Sequence, residues 1–435
     1  MEPCCYIFHV EKSIYIVYNQ NHVRQFLVIA DGLRVVSEKL PFFKSVSIGL
    51  WIGSGSINET LENNGVSHFI EHMIFKGTNR HSARDIADII DGVGGQINGF
   101  TAKECTCFYV KVMDEHIDVA LDLLSDMVLN PKLSEDDIQK EKAVIAEEIH
   151  MTEDSPEDLV QELMAKAFFG EHPLGMPILG NQYNVMNMDK RSITEYYNEW
   201  YNPSNAVLAV AGSYDEDELI RCINKYFSGW NNNSKSKPSF PSNVVKPTVL
   251  KKEKPIEQIH CCISVEGLKQ DDPDMYALLA LNNIIGGGMS SRLFQKIREE
   301  RGMAYSVFSY PSFYPNIGMF SVYAAINPSQ INEVIYLIKE EIRNISKEGI
   351  SHEEYKRAKE QLKGNYVLGL ESTSNRMSAL GRAELVMGRI YTPDEILQKI
   401  EDITEEQMNV VASRLFNTDI TCAAFVGSIP DDLHY

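Results

Sequence analysis

The sequence predicts an α+β protein built from two related units, and three observations carry that expectation. The chain has 435 residues, more than one ordinary hydrophobic core organises, so two to four domains are expected. Beyond about residue 25, strand-like alternation and helix-like spacing follow one another along the chain. Short segments of the first part then recur, in the same order, in the second. Leu133-Ser134-Glu135-Asp136-Asp137-Ile138 parallels Ile350-Ser351-His352-Glu353-Glu354-Tyr355, and Tyr201 to Gly212 parallels Phe416 to Gly427. The expected division is an N-terminal extension over 1–24, which matches nothing that follows, a first domain over 25–229, a linker over 230–247 and a second domain over 248–435.

Taken in order, Phe26 to Ala30 and Leu33 to Ser37 read as two strands about a turn at Gly32. Ser45 to Ile52 reads as a third, with Val46, Ile48, Leu50 and Ile52 alternating onto one face. Gly65 to Phe75 is predicted helical because Val66, Phe69, Ile70, Met73 and Ile74 fall at the three-and-four spacing of one buried stripe. Further helices are expected over Ala83 to Val93, His116 to Leu129, Ser134 to Ile149 and Pro156 to Phe169. Asn205 to Gly212 reads as a strand leading to an acidic helix, Asp215 to Phe227. Trp230 to Pro247 is rich in Asn, Ser, Lys and Pro without apolar periodicity, the composition of a linker.

Composition narrows the function. A formal net charge of -20 argues against nucleic acid, whose phosphates need clustered Lys and Arg that no stretch supplies. Eight cysteines are scattered without the spacing of a structural zinc knuckle, which suits free thiols in a reducing compartment. The N-terminus has Glu2 before a short apolar run and no signal-peptide core, and no window approaches the roughly 18 apolar residues of a membrane span. A cytoplasmic protein is expected. Gly286-Gly287-Gly288 has no Gly-Lys-Ser/Thr after it, so it reads as a turn and not as a phosphate cradle.

The chemistry is concentrated in His68-Phe69-Ile70-Glu71-His72. Two histidines at i and i+4 leave one helix face close enough to share a metal ion. A catalytic zinc site takes three protein ligands and keeps one open position, so a third ligand is needed from elsewhere. Glu71, beside the pair, is better placed to take a proton than to ligate. The helix Ser134 to Ile149 offers Glu135, Glu141, Glu147 and Glu148 among apolar residues. Glu141 and Glu148, seven apart, share a face, while Glu147 points about 100° from Glu148. Glu148 is the expected ligand, Glu141 its orienting partner, and His150 the competing ligand. Periodicity alone leaves that choice open.

The stretch from His68 to Thr78 resembles the inverted zinc signature of the insulinase and pitrilysin family of metallopeptidases, in particular bacterial members similar to the mitochondrial processing peptidase β subunit. The resemblance runs from about Phe26 to the C-terminus. It implies Zn2+ on His68, His72 and Glu148, with Glu141 behind them and Glu71 as general base. It also implies two homologous α/β sandwich domains, each an antiparallel sheet with helices, enclosing a chamber. Gly94 to Thr101 looks like the family's edge strand, where Asn98, Gly99, Phe100 and Thr101 would receive an extended peptide. Ser290 to Tyr305 resembles the segment supplying an Arg and a Tyr to the reacting carbonyl, here Arg298 and Tyr305. The second half has no such motif, and the repeat sets Ala358 and Asn365 opposite Glu141 and Glu148. The implied protein is a zinc endopeptidase acting on peptides or unfolded segments, working as a homodimer or heterodimer. The contrasting class is a non-catalytic structural or peptide-binding subunit of the same fold, and an intact triad with Glu71 speaks against it.

Overall fold

The computed structural model describes residues 4–10, 13–19, 24–28, 32–230, 248–417 and 422–434. The expected linker, apart from Trp230, lies outside the described residues, as do 29 and 30 of the first expected strand and 418–421 of the second repeat segment. Among the described residues no helix is long and apolar enough to cross a membrane.

The first half opens with strands β1 (Cys4–Val10), β2 (Ser13–Asn19), β3 (Arg24–Val28), β4 (Arg34–Lys39) and β5 (Ser45–Ile52). Thus β1 and β2 fall within the segment set apart as an extension. Helices α1 (Val66–Ile74) and α2 (Ala83–Gly92) lead to the hairpin β6 (Gln96–Thr101) and β7 (Thr106–Met113). Then come α3 (Ile117–Leu129), α4 (Glu135–Asp154), α5 (Pro156–Phe169), α6 (Gln182–Asn187) and α7 (Lys190–Trp200). Strand β8 (Ala206–Gly212) and helix α8 (Glu216–Phe227) close the half.

The second half repeats the plan. It runs β9 (Val249–Glu253), β10 (Ile259–Gly267), α9 (Met275–Ile285), a π-helical turn at Phe294–Glu299, β11 (Ala304–Phe313) and β12 (Gly318–Ile326). After these come α10 (Ile331–Glu348), α11 (His352–Gly369), α12 (Thr373–Arg382), α13 (Pro393–Glu401), α14 (Glu405–Phe416) and β13 (Cys422–Gly427).

Strand order confirms that the halves are related. The first sheet ends in β4-β8-β5-β7-β6, with β3, β2 and β1 added beyond β4, and the second runs β9-β13-β10-β12-β11. Both sheets are mixed: where an antiparallel sheet is expected, each carries one parallel pair among its antiparallel ones. Strands β4 and β5 are joined by a short turn and run in opposite directions, so β8, inserted between them after a long helical excursion, must be parallel to one. It is parallel to β4 and antiparallel to β5. Likewise β13 is parallel to β9 and antiparallel to β10.

The chain forms two compact units, and each takes one segment from the opposite half of the sequence. The first consists of Met1–Ile149, Pro177–Pro238 and Gly369–Ile390, and the second of His150–Met176, Ser239–Leu368 and Tyr391–Tyr435. In the first unit, Val46, Ile48, Leu50 and Ile52 of β5 pack with Phe69 and Ile70 of α1, Leu124 of α3 and Ile223 of α8. Burial of each such side chain contributes about 1.5–3 kcal/mol. The other face of this sheet is apolar too, and α12 covers it: Met377 and Leu380 pack on Val36, Trp51, Val207 and Ala209. Gly381 lies against the Trp51 indole, where a Cβ would collide with the ring. In the second unit α5 packs on β13 and β10 in the same manner. A central strand buried on both faces needs two layers of cover, and the helices next to it in sequence supply one.

Candidate metal centre

Helix α1 carries the His-x-x-Glu-His motif, and its start is fixed by a residue that sequence reading did not single out. Gly65 precedes it with φ +100, a conformation open to glycine. No side chain caps the helix in the usual way. Instead the buried Glu59 carboxylate accepts from the Gly65 N–H, the Ser67 N–H and Asn64 Nδ2, each at 2.8 Å. A carboxylate at a helix N-terminus satisfies orphan N–H groups and complements the helix dipole. Burial pushes the Glu59 carboxyl up, and these hydrogen bonds offset part of the rise.

His68 and His72 leave one face of α1, with ring centroids 4.6 Å apart. Glu148 of α4 meets both: its Oε2 is 3.6 Å from His68 Nε2 and 3.4 Å from His72 Nε2. A tetrahedral zinc with bonds of about 2.0–2.1 Å separates its donors by about 3.3 Å, close to the two spacings that Glu148 makes with the imidazoles. One donor atom from each of the three lies within 4.8 Å of the others, the single such group among the described residues. His150 is not part of it.

Burial, and then the neighbouring His72, hold the His68 imidazole down to about 3, so His68 offers a lone pair across the physiological range. Its Nδ1 is buried and has no hydrogen-bond partner among the described residues. His72 is held differently, with its Nδ1 2.9 Å from Glu141 Oε2. Burial works to lower the His72 pKa but is outweighed by the Glu141 hydrogen bond and the charges of Glu148, Glu141 and Glu71, and the net shift is upward. Glu141 is buried, which would raise its own pKa, yet hydrogen bonds from His72 and from Lys76, whose Nζ is 2.6 Å from Oε1, hold it low.

Glu71 stands outside the donor cluster. Its Oε2 accepts from Thr101 Oγ1 at 2.6 Å. Burial raises the Glu71 pKa and this hydrogen bond lowers it, with burial the stronger. Thr101 ends β6, which pairs only with β7 and so is a sheet edge among the described residues. Gly99 on the same strand leaves room for Glu71: a Cβ there would lie 3.3 Å from Glu71 Cγ and 3.1 Å from Phe75. Asn98 and Phe100 alternate to the more exposed side. Arg298 and Tyr305 belong to the second unit. There the Arg298 guanidinium lies 4.7 Å from the Phe294 ring and 5.6 Å from the Tyr305 ring.

Two histidines one helical turn apart, joined by a glutamate from a second helix, form the metal-binding triad typical of zinc peptidases. Comparison with known proteins agrees. Residues 34–182 match Insulinase (Peptidase family M16), and residues 187–362 match the Peptidase M16 inactive domain. The chain is 42% identical over 397 residues to an "Uncharacterized zinc protease" of Bacillus subtilis (strain 168), covering 90% of this chain and 96% of that protein. It is 39% identical over 393 residues to one of Mycobacterium leprae (strain TN), covering 89% and 88%. A protease from Helicobacter pylori has the same fold, with TM-score 0.86 at 22% identity over 93% of this chain and 99% of that one. The chain belongs to the insulinase family, peptidase family M16.

Proposed function

We propose that the protein is a zinc endopeptidase acting on extended peptides or unfolded segments, with Glu71 as general base. The observation that carries this reading is the division of labour among three carboxylates in one site: Glu148 faces both imidazoles, Glu141 backs His72, and Glu71 is held by Thr101 apart from the metal donors. A subunit that only bound peptide would have no chemical use for the third. Zinc bound by His68, His72 and Glu148 supplies Lewis acidity toward water and the scissile carbonyl. Glu71, with Oε2 fixed by Thr101, takes the proton of the attacking water on Oε1 and returns it to the departing amine nitrogen.

By the family resemblance, Arg298 and Tyr305 stabilise charge on the peptide oxygen, β6 receives the peptide as an added strand through Asn98 to Thr101, and the protein works in the cytoplasm as a dimer like the processing-peptidase members. Light scattering tests the dimer. Glu71→Gln tests the central claim: zinc content should stay at one per chain while turnover of a peptide library, followed by mass spectrometry, falls to background. Turnover close to wild type would sink the assignment of the base.

A further inference from the structure

The Glu141 carboxylate is 3% exposed, and both of its oxygens are engaged. Oε2 meets His72 Nδ1 at 2.9 Å and Oε1 meets Lys76 Nζ at 2.6 Å. Held by one donor, a carboxylate turns about its last torsion, which is broad and soft; donors on both oxygens fix its plane. His72 lies in the last turn of α1 and Lys76 two residues beyond its end, in the turn that follows, and both meet the same carboxylate from α4.

The backbone that presents Lys76 is anchored from both ends. Its own N–H donates to Met73 O at 3.1 Å. In the following loop the Thr78 N–H donates to His81 O at 2.7 Å, and the Lys132 N–H donates to Gly77 O at 3.0 Å. Asp126, 2% exposed, accepts from Thr78 Oγ1 at 2.5 Å and lies 3.0 Å from His81 Nδ1. An ammonium on a flexible stem is thereby delivered from a rigid platform to a buried carboxylate whose other oxygen aims a metal-binding imidazole.

We propose that Lys76 is a positioning residue of the metal centre, acting on His72 through Glu141. This rests on the reading of His68, His72 and Glu148 as a zinc site, and it does not depend on peptidase activity. Without the ammonium, Glu141 loses the second anchor that aims Oε2 at His72 Nδ1. The outer partner of a metal-binding histidine sets its ring orientation, and its loss weakens metal binding by about 10- to 100-fold.

The test is zinc affinity of the full chain, measured by competition with a chromophoric chelator, with the thermal melt of each zinc-free variant as a control for folding. Lys76→Met should weaken zinc by about tenfold, and Lys76→Arg should recover most of that loss. Because Lys76 acts through Glu141, Lys76→Met placed on Glu141→Gln should weaken zinc no further than Glu141→Gln alone. If the Met variant melts early, Lys76→Gln carries the same comparison. Equal or tighter zinc in Lys76→Met, or fully additive losses in the double variant, would overturn the proposal. A wild-type chain that takes up no zinc would instead overturn the metal site itself.

Discussion

At the scale of single residues, the contact with the clearest consequence is the 2.6 Å hydrogen bond from Thr101 to Glu71. A hydrogen bond to a charged group is worth about 1.5–3 kcal/mol, which corresponds to about 10- to 150-fold in rate when the group must be held for proton transfer. Thr101→Val keeps the branched shape suited to a strand and removes the donor. We expect kcat to fall within that range, zinc affinity to stay at the wild-type value, and Thr101→Ser to restore most of the rate. A kcat equal to wild type would show that Glu71 is held by packing alone. Gly99→Ala tests the same contact from the other side. Its Cβ would crowd Glu71 Cγ and Phe75, and kcat should fall while zinc stays bound. Much of this site is legible in the sequence, because helix geometry fixes His68 against His72 and sets Glu141 and Glu148 on one face, while the family resemblance picks Glu148 as the ligand. The links from Thr101 to Glu71 and from Glu59 to Gly65 are not. Each joins a side chain to a partner brought near by folding, and no periodicity marks either pair.

At the scale of elements, the fastening of α10 to α11 gives a dependence on pH that can be worked out in sign. Arg292 grips Glu354 through Nε at 2.6 Å and Nη2 at 2.8 Å, and reaches Glu341 of α10 at 3.1 Å and Gly349 O at 3.3 Å. Glu354 also accepts from the N–H of Ser351, in the reciprocal pairing that starts α11. Burial alone would raise the Glu354 carboxyl, but Arg292 and Ser351 outweigh it and hold it down to about 2, against an ordinary 4.5. A carboxylate lowered in the folded state stabilises above its unfolded pKa, and that stability is lost as pH falls through the folded value. The contribution is therefore complete above about 4.5 and gone near 2. Glu354→Gln should lower stability to denaturant by about 1–3 kcal/mol at neutral pH and flatten the acid limb of the stability profile. An acid limb unchanged in the variant would rule Glu354 out as its source. Ser351 and Ser134 begin matching helices, and that repeat is visible in the sequence. The end of α4 is less so: apolar spacing fades at Ile149, whereas the helix continues to Asp154 until Ser155 and Pro156 begin the next one.

At the scale of the whole molecule, the repeat in the sequence is real in strand order, but the compact units are not the continuous halves, because α5 and α12 are exchanged. Periodicity reports that a strand such as Ala206–Gly212 is buried on both faces; it cannot say which distant helix supplies the second cover. For the first sheet that cover is α12, held by apolar packing and by polar links of differing strength. Arg376 meets Glu38 at 2.7 Å, Arg34 meets Glu384 at 3.1 Å, and the Ser47 and Thr373 hydroxyls are 2.9 Å apart. Of these, the apolar packing carries most of the stability, since each ion pair offsets its attraction by the cost of taking the buried Glu38 or Glu384 carboxylate out of water. A chain ending near residue 238 would keep the metal triad and yet leave Val36, Trp51, Val207 and Ala209 uncovered. That apolar face would favour aggregation. We therefore expect residues 1–238 expressed alone to be insoluble or to bind a hydrophobic dye strongly, and to become soluble when 239–435 is co-expressed. A protease site inserted between 231 and 247 separates the two effects: after cleavage the two fragments should run apart on a denaturing gel and together in native size exclusion, with the zinc content unchanged. Fragments that part under native conditions would show that α12 is dispensable to the first sheet, and the 1–238 piece should then fold by itself.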